Sequence, residues 1–300
     1  MKKYIALVGL SLIWGLSFVF IKYLVGSAGV WGTVFLRCSA GVLVLLPFLW
    51  SKRDDFKKQI PWKALAIVGV FNAGVPWGLI ALSETQINSN TAAVLNAMTP
   101  ICTAVIGFVF FSIVLKKQQW IGVLLGFVGV LVIMEFQVGT LFTDSLVGIG
   151  TMVLATICYG FSSQYTKRHL QHMGILVVAV CTLVVGAIVG ATGMLVTGSA
   201  VPFDLFTDSY ALIAIVGLGC LGSGIAHLLF FFMVKEASAE FATSVTYLIP
   251  LTAMFWGYVL LNEPVSHNLV LGLICIFGGV YLATRKKKTF SHMRKAEKVS

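Results

Sequence analysis

The chain is divided into long apolar runs, each about as long as a membrane is thick. A hydrocarbon core of about 30 Å needs roughly 20 apolar residues in a helix. Ten stretches qualify: residues 4–24, 30–50, 62–82, 91–115, 120–136, 146–165, 173–196, 210–234, 241–261 and 268–284. Lipid offers no hydrogen bonds to the backbone, so each is expected to be a helix. The connectors between them are too short to hold a soluble domain. Charged residues make up only 11% of the chain, where a soluble protein has about 25%. So few charges cannot cover a surface this apolar. A soluble enzyme, a disordered chain and a disulfide-stapled secreted domain are therefore excluded. The first run follows Lys2 and Lys3 but is too long for a signal-peptide core, and no small-residue cleavage site follows it. It is expected to stay in the protein.

Charge distribution gives the orientation. Of the 21 Lys and Arg, 19 fall on one side if ten spans are threaded with the amino terminus inside; only Lys22 and Arg37 are left over. Glu84, Glu135, Asp144, Asp204, Asp208 and Glu263 fall on the other side. Positive charge marks the cytoplasmic face, so both termini are expected inside a cell inner (plasma) membrane. The net charge of +10 does not point to nucleic acid. Much of it lies in the tail, residues 285–300, where a basic cluster anchors topology and attracts anionic lipid. The six cysteines each sit in an apolar run with no C-x-x-C pair, and read as small packing residues. His169 and His172 have no ligand-spaced partners, so neither a metal nor a cofactor is expected.

The chain repeats itself at a spacing of about 145–150 residues. Trp14-Gly15 and Ser17 with Lys22 align with Tyr159-Gly160 and Ser162 with Lys167; Pro100 meets Pro250, and Gly122 and Gly129 meet Gly272 and Gly279. Each half, residues 1–145 and 146–284, holds five expected spans. An odd number turns the second half upside down. Matching loops carry opposite charge, as inversion requires: Lys52, Arg53, Lys57 and Lys58 follow the second span, whereas Asp204 and Asp208 follow the seventh. Inverted repeats are a signature of secondary transporters, with the solute site at mid-membrane between the halves. The expected fold is an all-α membrane protein of ten transmembrane helices in two inverted five-helix repeats.

These features together resemble the EamA-type branch of the drug/metabolite transporter superfamily. The Trp14-Gly15 and Tyr159-Gly160 starts, the mid-helix Pro100 and Pro250, and the Asn262-Glu263-Pro264 turn carry the likeness over nearly the whole chain. It implies a carrier, more often an exporter, of small metabolites such as amino acids, working by alternating access without ATP. One departure is that Ser112-Ile113 stands where the family often has a Glu matching Glu263.

Polar groups within the spans are the candidates for the solute site. Arg37 either snorkels outward or faces a cavity and pairs with a solute carboxylate. Asn72, Pro76 and Trp77 share the third span, and at the repeat offset Trp77 meets His227. His227 is either a buried neutral imidazole with one local hydrogen bond or a cavity-lining proton carrier. Trp14, Ser17, Asn96, Tyr159, Ser162, Gln164 and Tyr247 offer aromatic faces and neutral donors and acceptors, though helix packing explains any one of them as well. Pro76, Pro100 and Pro250 are the expected hinges. Gly217-Leu218-Gly219-Cys220-Leu221-Gly222 fits a dinucleotide fingerprint but lies inside an apolar run, without the strand the motif requires. No acidic residue is expected deep in any span, which disfavours an intramembrane enzyme and a carrier of cationic drugs. The expected partners are a small solute and the lipid bilayer, in a monomer or weak homodimer. A channel would more naturally show rings of pore charges.

The charge count carries a test. In intact cells, a membrane-impermeant thiol reagent should label Glu263→Cys and spare Lys287→Cys, measured against the parent chain. The reverse pattern would overturn the threading and the inversion with it.

Overall fold

The protein is represented by a computed structural model that describes residues 1–51, 60–87, 92, 95–133, 145–261 and 268–284. The loop residues Lys52, Arg53, Lys57 and Lys58, together with Glu135, Asp144, the Asn262-Glu263-Pro264 turn and the basic tail, lie outside the described residues. Among the described residues the regular structure is helical, with no strand.

The first helical run, α1, is Lys2–Ser51, 50 residues long. At about 1.5 Å per residue that is about 75 Å, more than twice a hydrocarbon core. It is two helices joined at Gly29, whose φ of 71° and ψ of 178° are closed to other residues. A Cβ there would meet nothing within 4 Å. The glycine thus answers a conformational demand and not a lack of space. The break falls between the two runs expected from sequence.

The third apolar run is not one regular helix. Helix α2, Trp62–Gly69, passes into a π segment, Val70–Gly74, and then into α3, Val75–Gln86. Pro76 follows the π segment by two residues, and its missing N–H leaves a carbonyl of that segment without its backbone partner. The eighth run repeats the pattern: α8, Ser209–Ile215, a π segment, Val216–Ile225, and α9, Ala226–Glu236. (The labels α4 to α7 belong to the runs between.) Asp208 caps α8, accepting from the Tyr210 backbone N–H at 3.0 Å and from the Tyr23 hydroxyl. The Tyr23 hydrogen bond, with the Tyr210 N–H, holds the Asp208 carboxyl below the usual carboxylate range.

The fourth and ninth runs are broken as well. The chain turns at residues 97–98 before α4, Thr99–Phe111, and α4 ends at Ser112 in a left-handed conformation (φ 55°). Helix α5, Lys117–Ile133, therefore begins earlier than expected, and the fourth helix stops short of residue 115. In the second half, α10, Ala239–Thr243, ends at Ser244, and α11, Val245–Leu261, follows. The expected hinges at Pro100 and Pro250 need correction on this point. Both breaks lie upstream of the proline. Pro100 sits in the first turn of the restarted helix, and Pro250 lies inside α11. Side-chain hydroxyls supply the lost bonds: Thr99 Oγ1 donates to the Asn96 carbonyl at 2.6 Å, Ser244 Oγ to Phe241 at 2.7 Å, and Thr246 Oγ1 to Thr243 at 2.9 Å.

Helices α6, Leu146–His169, α7, Ile175–Thr197, and α12, Asn268–Thr284, complete the described set. Lys167, Arg168 and His169 occupy the last turn of α6, where cations suit the negative end of the helix dipole. Among the described residues, five helical stretches, Lys2–Leu49, Trp62–Glu84, Leu146–His169, Ile175–Thr197 and Ser209–Glu236, are long and apolar enough to cross a membrane. The protein is a multi-pass membrane protein.

Glycine sets the spacing between α5 and α12. A Cβ on Gly279 would lie 2.5 Å from the Gly126 nitrogen and 2.6 Å from the Gly122 carbonyl oxygen, both backbone atoms. A Cβ on its neighbour Gly278 would meet only Leu125 Cδ2, at 3.5 Å. Gly279→Ala should therefore force the helices apart and destabilise by about 1–3 kcal/mol, the usual cost of overpacking. Gly278→Ala should be near neutral. Thermal unfolding of the two purified variants checks the contrast.

Candidate solute cavity

Residues from both halves meet around one cavity of about 60 Å³. Helix α1 contributes Trp14, Ser17, Phe18 and Ile21 from before the Gly29 break and Arg37 from after it. Asn72 comes from the first π segment, Trp77 and Ile80 from α3, and Asn96 and Thr99 from the first broken run. Tyr159 enters from α6, His227 and Phe230 from α9, and Thr243, Val245, Thr246 and Ile249 from the second broken run. The first π segment and both broken runs line this space, and the second π segment backs it, bonded to Trp14 and Arg37. Irregular backbone at membrane depth is tolerated where it lines a cavity.

Arg37 is the cation of the lining and is only 4% exposed. Its guanidinium carbon lies 3.5 Å from the centre of the Trp77 ring, and its Nε donates to Ser223 Oγ at 3.1 Å. Ser223 is in the second π segment, and its hydroxyl donates to the Leu218 carbonyl, five residues back, at 2.9 Å. One face and one N–H of Arg37 are thus occupied. Arg37 does not snorkel: it turns inward and stacks, a contact worth about 2 kcal/mol when desolvated.

His227 and Trp77, repeat mates in the sequence, touch edge to face with ring centres 5.2 Å apart. His227 Nε2 is 3.1 Å from Asn72 Oδ1, so with that nitrogen protonated the imidazole donates to the amide oxygen. His227 is therefore both fully buried and part of the cavity wall. The remaining bonds tie the halves together. Trp14 Nε1 donates to the Gly222 carbonyl at 3.0 Å, and the Trp77 indole N–H reaches the Tyr159 hydroxyl. Ser17 Oγ packs where a Cβ on Gly222 would lie, at 2.8 Å.

Three candidates from the sequence stand outside the lining. Gln164 Nε2 donates to the Thr103 carbonyl at 3.0 Å and to Glu240 Oε1 at 2.6 Å, clamping α6 to α4 and α10. Tyr247 lies over Gly126 and donates to the Val123 carbonyl at 2.7 Å, holding α11 to α5. Ser162 is wholly buried away from the cavity. In each case helical periodicity turns the side chain onto a neighbouring helix.

Two carboxyl groups are buried where none was expected. Glu84 is 7% exposed, because α3 runs on to Gln86 and carries it under cover. Glu240 is 9% exposed and is covered by Gln164. The signal for Glu84 was its spacing, seven residues past Trp77 and four past Ile80, on the same helix face. Ser223, directly after the false dinucleotide motif, was not among the expected site residues, although it stands one turn before His227. Among the described residues no group of three His, Cys, Asp or Glu could hold a metal ion.

Known proteins of the same build are transporters. An uncharacterized transporter of Archaeoglobus fulgidus is 25% identical over 96% of this chain and 100% of its own length. The uncharacterized transporter YoaV of Bacillus subtilis is 24% identical over 94% and 97%. The uncharacterized inner membrane transporter YedA of Escherichia coli strain K12 is 26% identical over 95% and 91%. One crystal structure shares the fold with a TM-score of 0.74 at 16% identity, over 94% of this chain and 96% of the other. The model of the EamA-like transporter family matches residues 1–135 and again 146–285. Matched in both halves, the chain belongs to the EamA-like transporter family, and it is a membrane transporter and not an enzyme.

Proposed function

We propose that the protein is a secondary carrier of small neutral or zwitterionic metabolites, amino acids foremost. It works by alternating access across the inner membrane, with net direction set by the gradients imposed on it. The carrying observation is the chemistry of the cavity lining. It holds one cation, Arg37, aromatic faces in Trp14, Phe18, Trp77, Tyr159 and Phe230, and neutral amides and hydroxyls, with no carboxylate among the lining residues. A solute carboxylate can take N–H groups of Arg37 beyond the Nε held by Ser223. An ammonium can lie against the aromatic faces. A permanently cationic drug would face Arg37 with nothing opposite in charge to receive it.

Inverted halves support alternating access. The two π segments lie in matching stretches, with Asn72 and its repeat mate Gly222 each inside one. The corresponding fourth and ninth runs are each broken upstream of the proline, at 97–98 and at 244. Bonds from Trp14 to Gly222 and from Trp77 to Tyr159 each join one half to the other. Ten spans in a five-plus-five arrangement, with both termini cytoplasmic, accommodate these pairings in a monomer or weak homodimer.

Purified protein in liposomes should exchange labelled L-alanine in a saturable, counterflow-competent manner, which a channel would not show. Arg37→Gln should raise the KM for alanine about tenfold or more, hydrogen bonds to a charged group being worth about 1.5–3 kcal/mol. It should change the KM for a related solute lacking the carboxylate far less. Transport of tetra-alkylammonium ions with no amino-acid flux would reject the proposal.

A further inference from the structure

A buried carboxyl stands one turn beyond the cavity. Glu84 is 7% exposed, and neither of its side-chain oxygens makes a hydrogen bond. It follows Trp77 by seven residues and Ile80 by four on α3, so it shares their face and stands about 6 Å further along the helix than Ile80. Its neighbour Ser83 donates to the Gly148 carbonyl at 2.7 Å, which fixes this turn of α3 against the start of α6.

The charged and titratable groups around Glu84 come from few elements. Helix α1 brings Lys22 and Arg37, both within electrostatic reach. Helix α6 brings Tyr159, which is engaged by Trp77. Helix α7, which also packs on α3, has no charged residue between Ile175 and Thr197. His227 lies behind Trp77. Arg37, the stronger of the two electrostatic influences on Glu84, has its guanidinium stacked on Trp77 and held by Ser223. A bare carboxylate here, dehydrated and without a hydrogen bond, is disfavoured by several kcal/mol. The carboxyl is therefore neutral in this arrangement.

We propose that Glu84 is a proton-binding site of the carrier, linked through Arg37 to the binding of a solute carboxylate. The inference rests on the carrier reading and adds a coupling ion to it. With the cavity empty, Arg37 is free to leave Trp77 and donate its N–H groups to Glu84, whose O–H releases its proton to water. A solute carboxylate that takes Arg37 leaves Glu84 without a cation, and the carboxylate recovers a proton from water. No other bond is made or broken. Solute and proton are then bound together, and a pH gradient drives the solute toward the more alkaline side.

Two measurements on the full-length protein test this. Infrared pH-difference spectra without solute should contain the C=O stretch of a protonated carboxyl. Glu84→Gln should remove that band and Glu240→Gln should leave it. Arg37→Gln should make it persist to higher pH, because the competing cation is gone. In liposomes, an acid-outside gradient should drive L-alanine accumulation by the parent protein, and Glu84→Gln should lose that response. Counterflow at equal pH needs no net proton movement, so Glu84→Gln, which mimics the neutral acid, should retain it. A gradient response in Glu84→Gln equal to that of the parent, or a carboxyl band that ignores the substitution, would overturn the proton site. If alanine is not moved even by the parent, the carrier reading for amino acids fails. The infrared band and its response to Arg37→Gln then decide Glu84 independently.

Discussion

In lipid, every backbone N–H and C=O must find its partner within the protein. That constraint makes the chain helical, and it also decides where the helices are allowed to fail. The π segment at Val70–Gly74, the turn at 97–98 and the break at Ser244 adjoin residues that line the cavity, and the π segment at Val216–Ile225 stands behind it, bonded to Trp14 and Arg37. Each would be costly facing hydrocarbon. Here side-chain hydroxyls from Thr99, Ser223, Ser244 and Thr246 take up nearby carbonyls. The polar groups of the site and the repairs to the backbone are therefore partly the same atoms.

Close packing makes this convergence possible. With no hydrophobic drive between helices in lipid, association depends on contact, and small residues permit contact. At Gly122, Gly126, Gly129, Gly272 and Gly279 the backbones of α5 and α12 meet directly. Gly190 lets α7 approach the Phe35 backbone on α1, where a Cβ would lie 2.7 Å from its nitrogen. Long-range bonds such as Trp256 Nε1 to the Leu12 carbonyl, at 2.9 Å, and Thr252 Oγ1 to Ser11, at 2.6 Å, then tie the last third of the chain to its first helix. Aromatic residues divide between these two duties. Trp14, Trp77 and Tyr159 face the cavity, whereas Tyr247 and Trp256 hold helices together.

Electrostatics gives the site its asymmetry. Arg37 has no counterpart at the matching place in the second half, where the repeat offset reaches Ala187. Its charge is spread over the Trp77 face and not cancelled by a contacting carboxylate. The cavity therefore has a positive end beside an amide- and hydroxyl-lined remainder. That is a gradient of character suited to a solute that carries its own dipole.

Much of this was legible in the residues alone, for a simple reason. Transfer into hydrocarbon penalises polar groups so heavily that span positions, helicity and the candidate polar residues follow from where the apolar runs begin and end. The repeat offset paired Trp77 with His227 before any coordinates, and the two rings touch. Which face each residue presents was decided only by the tertiary structure. Adjacent helical positions differ by about 100°, and a π turn shifts that register, so no period read from sequence survives it. Hence Asn96 reaches the cavity while Gln164 clamps three helices, and Ser223 supports Arg37 from the residue just past a motif that resembles something else. Burial of Glu84 belongs to the same class. Its helix runs one turn further than its hydropathy, and only the neighbouring helices bring cover to that turn.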